Sequence, residues 1–182
     1  MEQEGHHLIR YADDCVILCR TAAEAEVVLN KVQAWVQAHG WQLYPDKTTI
    51  GNYGEPGQGV EFLGYRFEAG RRYVRAKSLK ALKDKIRQKT RRTRGDGVPR
   101  ISHDRNLTLK GWFEYFNQAH RRTFKGIDGF VRRRLRALRR KQRKRPGFGR
   151  CHADHQRWPN AFFASQGLFT LQEAQVLASQ SR

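Results

Sequence analysis

Residues 71–150 concentrate 29 of the chain's 36 lysines and arginines with five acids, Asp84, Asp96, Asp104, Glu114 and Asp128. That segment carries a net charge of +24, whereas the rest of the chain sums to −5. A stretch so charged folds only if its apolar residues line up on one face and its charge meets a polyanion. A surface built for solubility alone mixes both signs, so nucleic acid is the expected partner, and structured RNA above all, since arginine also stacks on the exposed bases of loops and bulges. The other gross features narrow the class further. Three cysteines, Cys15, Cys19 and Cys151, make no disulfide framework. No apolar run approaches the roughly 18 residues of a membrane span, and the polar start Met-Glu-Gln-Glu-Gly-His-His has no leader character. A reducing, cytoplasmic setting with no membrane partner is the default expectation.

Apolar spacing predicts how the basic segment folds. Ser78 is expected to cap a helix of about four turns with Leu79, Leu82 and Ile86 as a narrow stripe. After a linker at 95–99, a second helix is predicted from about Asn106 to His120, with Leu109, Trp112, Phe113 and Phe116 inward. A third is predicted from about Gly126 to Lys144, with Ile127, Phe130, Val131, Leu135 and Leu138 inward, until Pro146-Gly147 stops it. Thr170 and Glu173 have capping-pair spacing for one more short helix.

The region before it reads differently. Leu8–Tyr11 and Cys15–Cys19 are apolar runs around the turn Ala12-Asp13-Asp14, which predicts a strand–turn–strand hairpin. Thr21 and Glu24 open a helix carrying Ala25, Val28, Leu29, Val32, Trp35 and Val36 at helical spacing, and Gly40 ends it. A short extended piece, Trp41–Tyr44, runs into Pro45-Asp46. Residues 51–59 read as loop, and 60–67 with 71–75 as a hairpin closed by Glu68-Ala69-Gly70. The plan is a small mixed unit of helix and strands followed by a basic helical bundle.

Asp13 and Asp14 carry the sharpest chemical signal. Adjacent carboxylates at a hairpin tip repel each other, and a divalent cation relieves that cost. Oxygen donors suit Mg²⁺, and two-metal phosphoryl transfer needs carboxylates that bridge ions about 3.5–4 Å apart.

Tyr11-Ala12-Asp13-Asp14 within such a hairpin resembles the palm motif of reverse transcriptases. Gly40-Trp41-Gln42-Leu43 with Lys47-Thr48, then Phe62-Leu63-Gly64-Tyr65, look like the later palm motifs of reverse transcriptases encoded by group II introns. Leu109-Lys110-Gly111-Trp112-Phe113-Glu114-Tyr115-Phe116 is similar to that family's maturase domain, also called the thumb or X domain. So is the run 127–136 that leads into 141–146, and the likeness extends from about Leu8 to Ala178. The resemblance implies an α+β fold: a partial reverse-transcriptase palm (β-hairpins with one packed helix) followed by a basic three-helix thumb/maturase bundle. It divides the chain into 1–77 (palm), 78–150 (thumb/maturase) and 151–182 (its C-terminal tail).

It also implies roles. Asp13 and Asp14 would be the catalytic carboxylates and bind Mg²⁺, while Tyr11 would lie beside the primer end and Lys47 near the phosphates. Phe62, Leu63, Gly64 and Tyr65 would form a hairpin supporting the primer strand, an alternative or addition to ordinary core packing. RNA contact is expected from Arg91, Arg92, Arg132, Arg133, Arg134, Arg136, Arg139, Arg140, Lys141, Arg143, Lys144 and Arg145, with some of the arginines left to pair with acids or stay solvated. The family takes a further palm aspartate from upstream, whereas the acids before Tyr11 are Glu2 and Glu4. The expectation is therefore a C-terminal part of such a protein, holding Mg²⁺ weakly and inactive alone, that binds group II intron RNA and assists splicing. The alternatives are half of a split RNA-directed DNA polymerase completed by another polypeptide, acting on an RNA/DNA template–primer, and an unrelated basic DNA- or RNA-binding protein. An incomplete palm would leave an exposed apolar side on its sheet, open to self-association or a complementing polypeptide. Cys151, His152 and His155 lack a second pair for zinc, and Trp158, Phe162, Phe163, Leu168 and Phe169 read as packing.

Overall fold

The computed structural model describes residues 5–91 and 98–180, apart from the side chains of Val98, Pro99 and Ser102. It has the expected α+β class, in two compact units that divide between Tyr73 and Val74.

In the first unit, strands β1 (His7–Tyr11) and β2 (Asp14–Leu18) pair antiparallel, with Tyr11 opposite Asp14 and Ile9 opposite Val16. The two-residue turn Ala12-Asp13 puts Ala12 at φ 51°, a left-handed conformation that favours glycine. Helix α1 (Ala22–Ala38) starts where the sequence predicts: the Thr21 hydroxyl accepts from the Glu24 amide at 3.1 Å, and the Glu24 carboxylate accepts from the Arg20 amide at 2.7 Å. It ends in a Schellman motif, with Gly40 at φ 75°, the Gly40 amide on the Gln37 carbonyl and the Trp41 amide on the Val36 carbonyl. Trp41–Tyr44 forms no strand, and Pro45–Lys47 makes one 3₁₀ turn.

The segment predicted as one strand over 60–67 is two. β3 (Val60–Phe62), β4 (Tyr65–Glu68) and β5 (Arg71–Val74) form a three-stranded sheet in that order. Both reversals are two-residue turns with two positive φ values, Leu63 at 48° with Gly64 at 80°, and Ala69 at 49° with Gly70 at 70°. Such turns match strand twist and join neighbouring strands tightly. Arg66 holds Glu68 at 2.6 Å, and Glu68 also accepts the Gly57 amide at 2.5 Å, pinning the preceding loop to the sheet.

The second unit contains six helices among the described residues. α2 (Ala76–Lys89) buries Leu82 and Ile86 and half-buries Leu79, as the stripe predicts. Its cap position is Arg75, so Ser78 lies in the first turn and accepts from the Arg75 guanidinium at 3.1 Å instead of capping. α3 (Val98–Phe116) starts earlier than predicted, because Pro99 falls in the first turn where a missing N–H costs nothing. α4 (Arg121–Gln142) also starts early, at His120, and buries Phe124 besides the five predicted residues. Two short helices, α5 (His152–Arg157) and α6 (Asn160–Ser165), precede α7 (Leu171–Gln180).

Helices α2, α3, α4 and α7 pack on one another around an aromatic cluster. Phe124 lies 5.4 Å from Phe113 and 6.3 Å from Trp112, and Phe113 lies 6.3 Å from Phe169. Asn106 ties α3 to the α6–α7 connection, donating to the Gly167 carbonyl at 2.6 Å and accepting from the Phe169 amide at 2.8 Å. The predicted Thr170–Glu173 cap is replaced by a distant one. Asp128, buried on α4, accepts the Leu171 amide at 3.0 Å and the Gln172 amide at 3.1 Å, so α7 is capped by another helix. No helix among the described residues is long and apolar enough to cross a membrane.

Candidate functional site

The β1–β2 hairpin sets the carboxylate pair. Cross-strand partners share a face, so Tyr11 and Asp14 stand with Ile9, Val16 and Leu18 on one side of the ribbon, and Asp13 occupies the turn. Asp13 and Asp14 are both exposed, as is Tyr11 at 65%. Ile9 and Leu18 on the same face are exposed at 49% and 53%. This is the uncovered apolar side that the sequence leads one to expect, with the carboxylate of Asp14 at its rim. The turn is buttressed from within by the Arg10 guanidinium, which donates to the Ala12 carbonyl at 2.9 Å.

Lys47 is exposed and its ammonium stands 5.1 Å from the centre of the Tyr44 ring. Phe62, Leu63, Gly64 and Tyr65 form a tight hairpin turn, all half-buried, and Tyr65 lies 6.2 Å from Phe67. The donors on Asp13 and Asp14 are carboxylate oxygens, which suit a hard divalent cation. Among the described residues there is no cluster of three or more His, Cys, Asp or Glu side chains.

The arginines predicted to reach RNA fall into three groups. Arg134, Arg136 and Arg140 are built into the bundle. Arg134 donates to the Thr90 hydroxyl and carbonyl, both at 2.9 Å, and so clamps α4 to the end of α2. Arg136 is 3% exposed, donates to the Trp158 carbonyl at 3.0 Å and to Asn160 at 3.1 Å, and lies over Phe163. Burial, and then the neighbouring Arg132, push its pKa down. Arg140 grips both oxygens of Asp154, at 2.7 and 2.9 Å, and the Pro146 carbonyl at 2.7 Å. These three hold helices together, a use the arginine run in the sequence does not distinguish from binding.

Arg133 lies over Phe130 and Arg139 over Phe162, packing their flat faces while half exposed. Arg132 is half-buried, and Arg91, Lys141, Arg143, Lys144 and Arg145 are exposed. Arg92 lies outside the described residues.

Asp154 sits in the middle of a small polar knot. Burial would raise its pKa, yet the Cys151 thiol, donating at 3.0 Å, and Arg140 together hold it below the usual carboxylate range. Cys151, exposed at the cap position of α5, thereby ties its thiol to that helix's first turn. Trp158, Phe163 and Leu168 are buried and close the bundle, as their spacing leads one to expect.

Residues 1–67 match the model of the reverse transcriptase (RNA-dependent DNA polymerase) family, and residues 79–158 match that of the group II intron, maturase-specific domain. No curated protein matches the chain.

Proposed function

The chain belongs to the family of reverse transcriptases and maturases encoded by group II introns, and from that membership we propose that its second unit grips structured intron RNA and assists splicing. The observation that carries this reading is the coincidence of the maturase-specific match with the cationic surface. Arg91, Lys141, Arg143, Lys144 and Arg145 are exposed, and all lie within residues 79–158. Lys141 lies in the last turn of α4 and Arg143, Lys144 and Arg145 directly follow that helix, so four of these cations are displayed together at one end of a packed helix, where phosphates can meet them. Arg133 and Arg139 add guanidinium groups beside the Phe130 and Phe162 rings, a surface suited to phosphates and unstacked bases together.

The test is the affinity of the full chain for a group II intron RNA and for an unrelated structured RNA of equal length, each titrated across salt. The expected result is a steep fall in affinity with salt, and a preference for the intron of about tenfold or more, roughly 1.4 kcal/mol, that survives at high salt. Equal affinities with equal salt slopes would reduce the protein to a nonspecific polycation.

A second reading rests on the exposed face beside Asp14. In it, Asp13 and Asp14 bind Mg²⁺ jointly with carboxylates of a second polypeptide that covers Ile9, Tyr11 and Leu18. A bound Mg²⁺ pair would supply the charge stabilisation for nucleotide transfer along an RNA/DNA template–primer. Tyr11, Lys47 and the Phe62–Tyr65 turn would then position the primer strand. Polymerase activity that appears only on mixing the chain with such a polypeptide, and disappears in Asp13→Asn, would establish this reading.

A further inference from the structure

The outer side of α4 carries a cationic hollow that the arginine run alone does not reveal. It is an open depression of about 420 Å³ lined by Arg132, Arg133, Arg136, Arg150 and His155, with no carboxylate among its lining residues. Four guanidinium groups face one open concavity, and the nearby Asp128 and Asp154 offset only part of their charge, so the hollow attracts an anion.

The fold goes out of its way to assemble it. Gly149, buried at φ 70°, lies so close to α4 that a Cβ there would stand 2.6 Å from the Ala137 nitrogen and 2.7 Å from the Arg136 Cβ. That contact, open to glycine alone, brings Arg150 back against the arginines of α4. Arg136 is buried in the wall and fixed by Trp158 and Asn160, so at least one charge is preset rather than swung in on a flexible stem.

A second, smaller hollow of about 240 Å³ adjoins it, lined by Lys83, Gly126, Gly129, Phe130 and Arg133. The two share Gly129 and Arg133. Gly126 and Gly129 are exposed inside a 22-residue helix, and a Cβ added at either would meet nothing within 4 Å. Packing therefore does not require them, and alanine would serve the helix better. What they provide is a floor without side chains, one turn of helix long, between cationic walls.

We propose that these adjoining hollows seat the sugar–phosphate backbone of one RNA strand, the phosphates against Arg132, Arg133 and Arg150 and the strand lying on the Gly126–Gly129 floor. This deepens the RNA-binding reading above and rests on it. The partner is RNA rather than a small anion, because a contiguous trough with two charged compartments fits a chain of phosphates better than a single one.

Three variants of the full chain test it, with binding to a structured intron RNA and thermal unfolding measured side by side. Gly126→Ala with Gly129→Ala should raise Tm, by roughly 4–8 °C per glycine at most, while weakening RNA binding. Gly129→Gln, which fills the floor, should weaken binding on the order of tenfold, equivalent to about two lost phosphate contacts. Arg150→Gln, an exposed position that leaves folding alone, should cost about threefold and lower the salt slope by about one. If the glycine variants and Arg150→Gln all bind like the parent while Arg143→Gln/Lys144→Gln binds more weakly, RNA binding stands and the hollows are not its seat. If the parent itself binds no RNA, the underlying reading fails. An equal loss on duplex DNA would overturn the assignment to RNA.

Discussion

The two units of this protein spend their apolar residues in opposite ways. Among the twenty buried apolar residues of the described chain, Val28 alone lies before the division at Tyr73 and Val74, Val74 itself sits at that division, and the rest follow it. The first unit has no shortage of such residues: Trp35, Trp41, Tyr44 and Tyr53 are all about half exposed or more, alongside Ile9, Tyr11 and Leu18. Its elements are set by local rules, namely a cap at Thr21, a Schellman stop at Gly40 and three two-residue turns. The second unit is held by contacts distant in sequence, among them Asp128 to α7, Asn106 to Gly167 and Arg136 to Trp158. Local rules specify a shape without supplying much stability, because most helical and strand stability comes from burying a face. The comparison teaches that the carboxylate pair sits on a scaffold whose apolar side is exposed, while the cationic surface sits on one with a well-buried core.

The largest effect should come from the core of the second unit. Phe163→Ala, at a fully buried ring, should cost about 3–5 kcal/mol, whereas Trp35→Ala, at an indole 64% exposed, should stay within about 0.5 kcal/mol. Denaturant unfolding of both variants measures the contrast. Comparable losses would mean that the first unit is held as tightly as the second.

Next is the buried cap. Asp128→Asn retains one acceptor for two α7 amides and should cost about 1–3 kcal/mol at neutral pH. Burial raises the Asp128 pKa against the pull of the Leu171 and Gln172 amides. The folded state therefore takes up its proton before the unfolded chain does, and this group's contribution grows as pH falls from its raised value toward the ordinary carboxylate range. The gap between parent and Asp128→Asn should widen on acidification over that window. Asp154 has the opposite sign: its depressed pKa gives a contribution that is present above the ordinary carboxylate range and is lost as pH falls through the folded value. Its gap to Asp154→Asn should close in acid. Unfolding curves at several pH values separate the two, and parallel behaviour would contradict the assignment.

The exposed hairpin face makes a third test. Sedimentation should show the chain associating with itself at high micromolar concentration through Ile9, Tyr11 and Leu18. Ile9→Lys with Leu18→Lys should weaken that association about tenfold, near 1.4 kcal/mol. A monodisperse monomer at that concentration would show that the face is tolerated bare.

How much of this was legible in the sequence follows the same division. The hairpin around Asp13, the Thr21 cap and the Gly40 stop could be read because each depends on residues within five positions. The stripe of α4 could be read because its apolar period is unbroken. The start of α3 could not, since its inward positions run Ile101, Arg105, Leu109, and a fully buried arginine in the series hides the period. The cap of α7 lies 43 residues away and leaves no local trace. α5 and α6 span six residues each, too few for a helical period to show. Among the candidate site residues, sequence placed Asp13 on its turn but also counted Asp14 in it, whereas Asp14 opens β2 opposite Tyr11; Arg134, Arg136 and Arg140 look the same as their neighbours until their partners are seen. Gly149 and Arg150, which close the cationic hollow, gave a signal only as a glycine after a proline stop.

The smallest effect is also the cleanest probe of local specification. Ala69 holds φ 49° in the turn before Gly70, where an L side chain other than Asn or Asp costs about 1–2 kcal/mol. Ala69→Asn creates the Asn-Gly pair that such a hairpin turn favours, and should recover roughly 0.5–1 kcal/mol of that cost. Because Ala69 is exposed, no packing change accompanies the substitution. If the first unit is stabilised by its turns, amide exchange in β4 and β5 should slow several-fold while protection in α4 stays as it was. Were protection to rise equally in both units, the two would be unfolding as one cooperative body, and the local rules of the first would be subordinate to the core of the second.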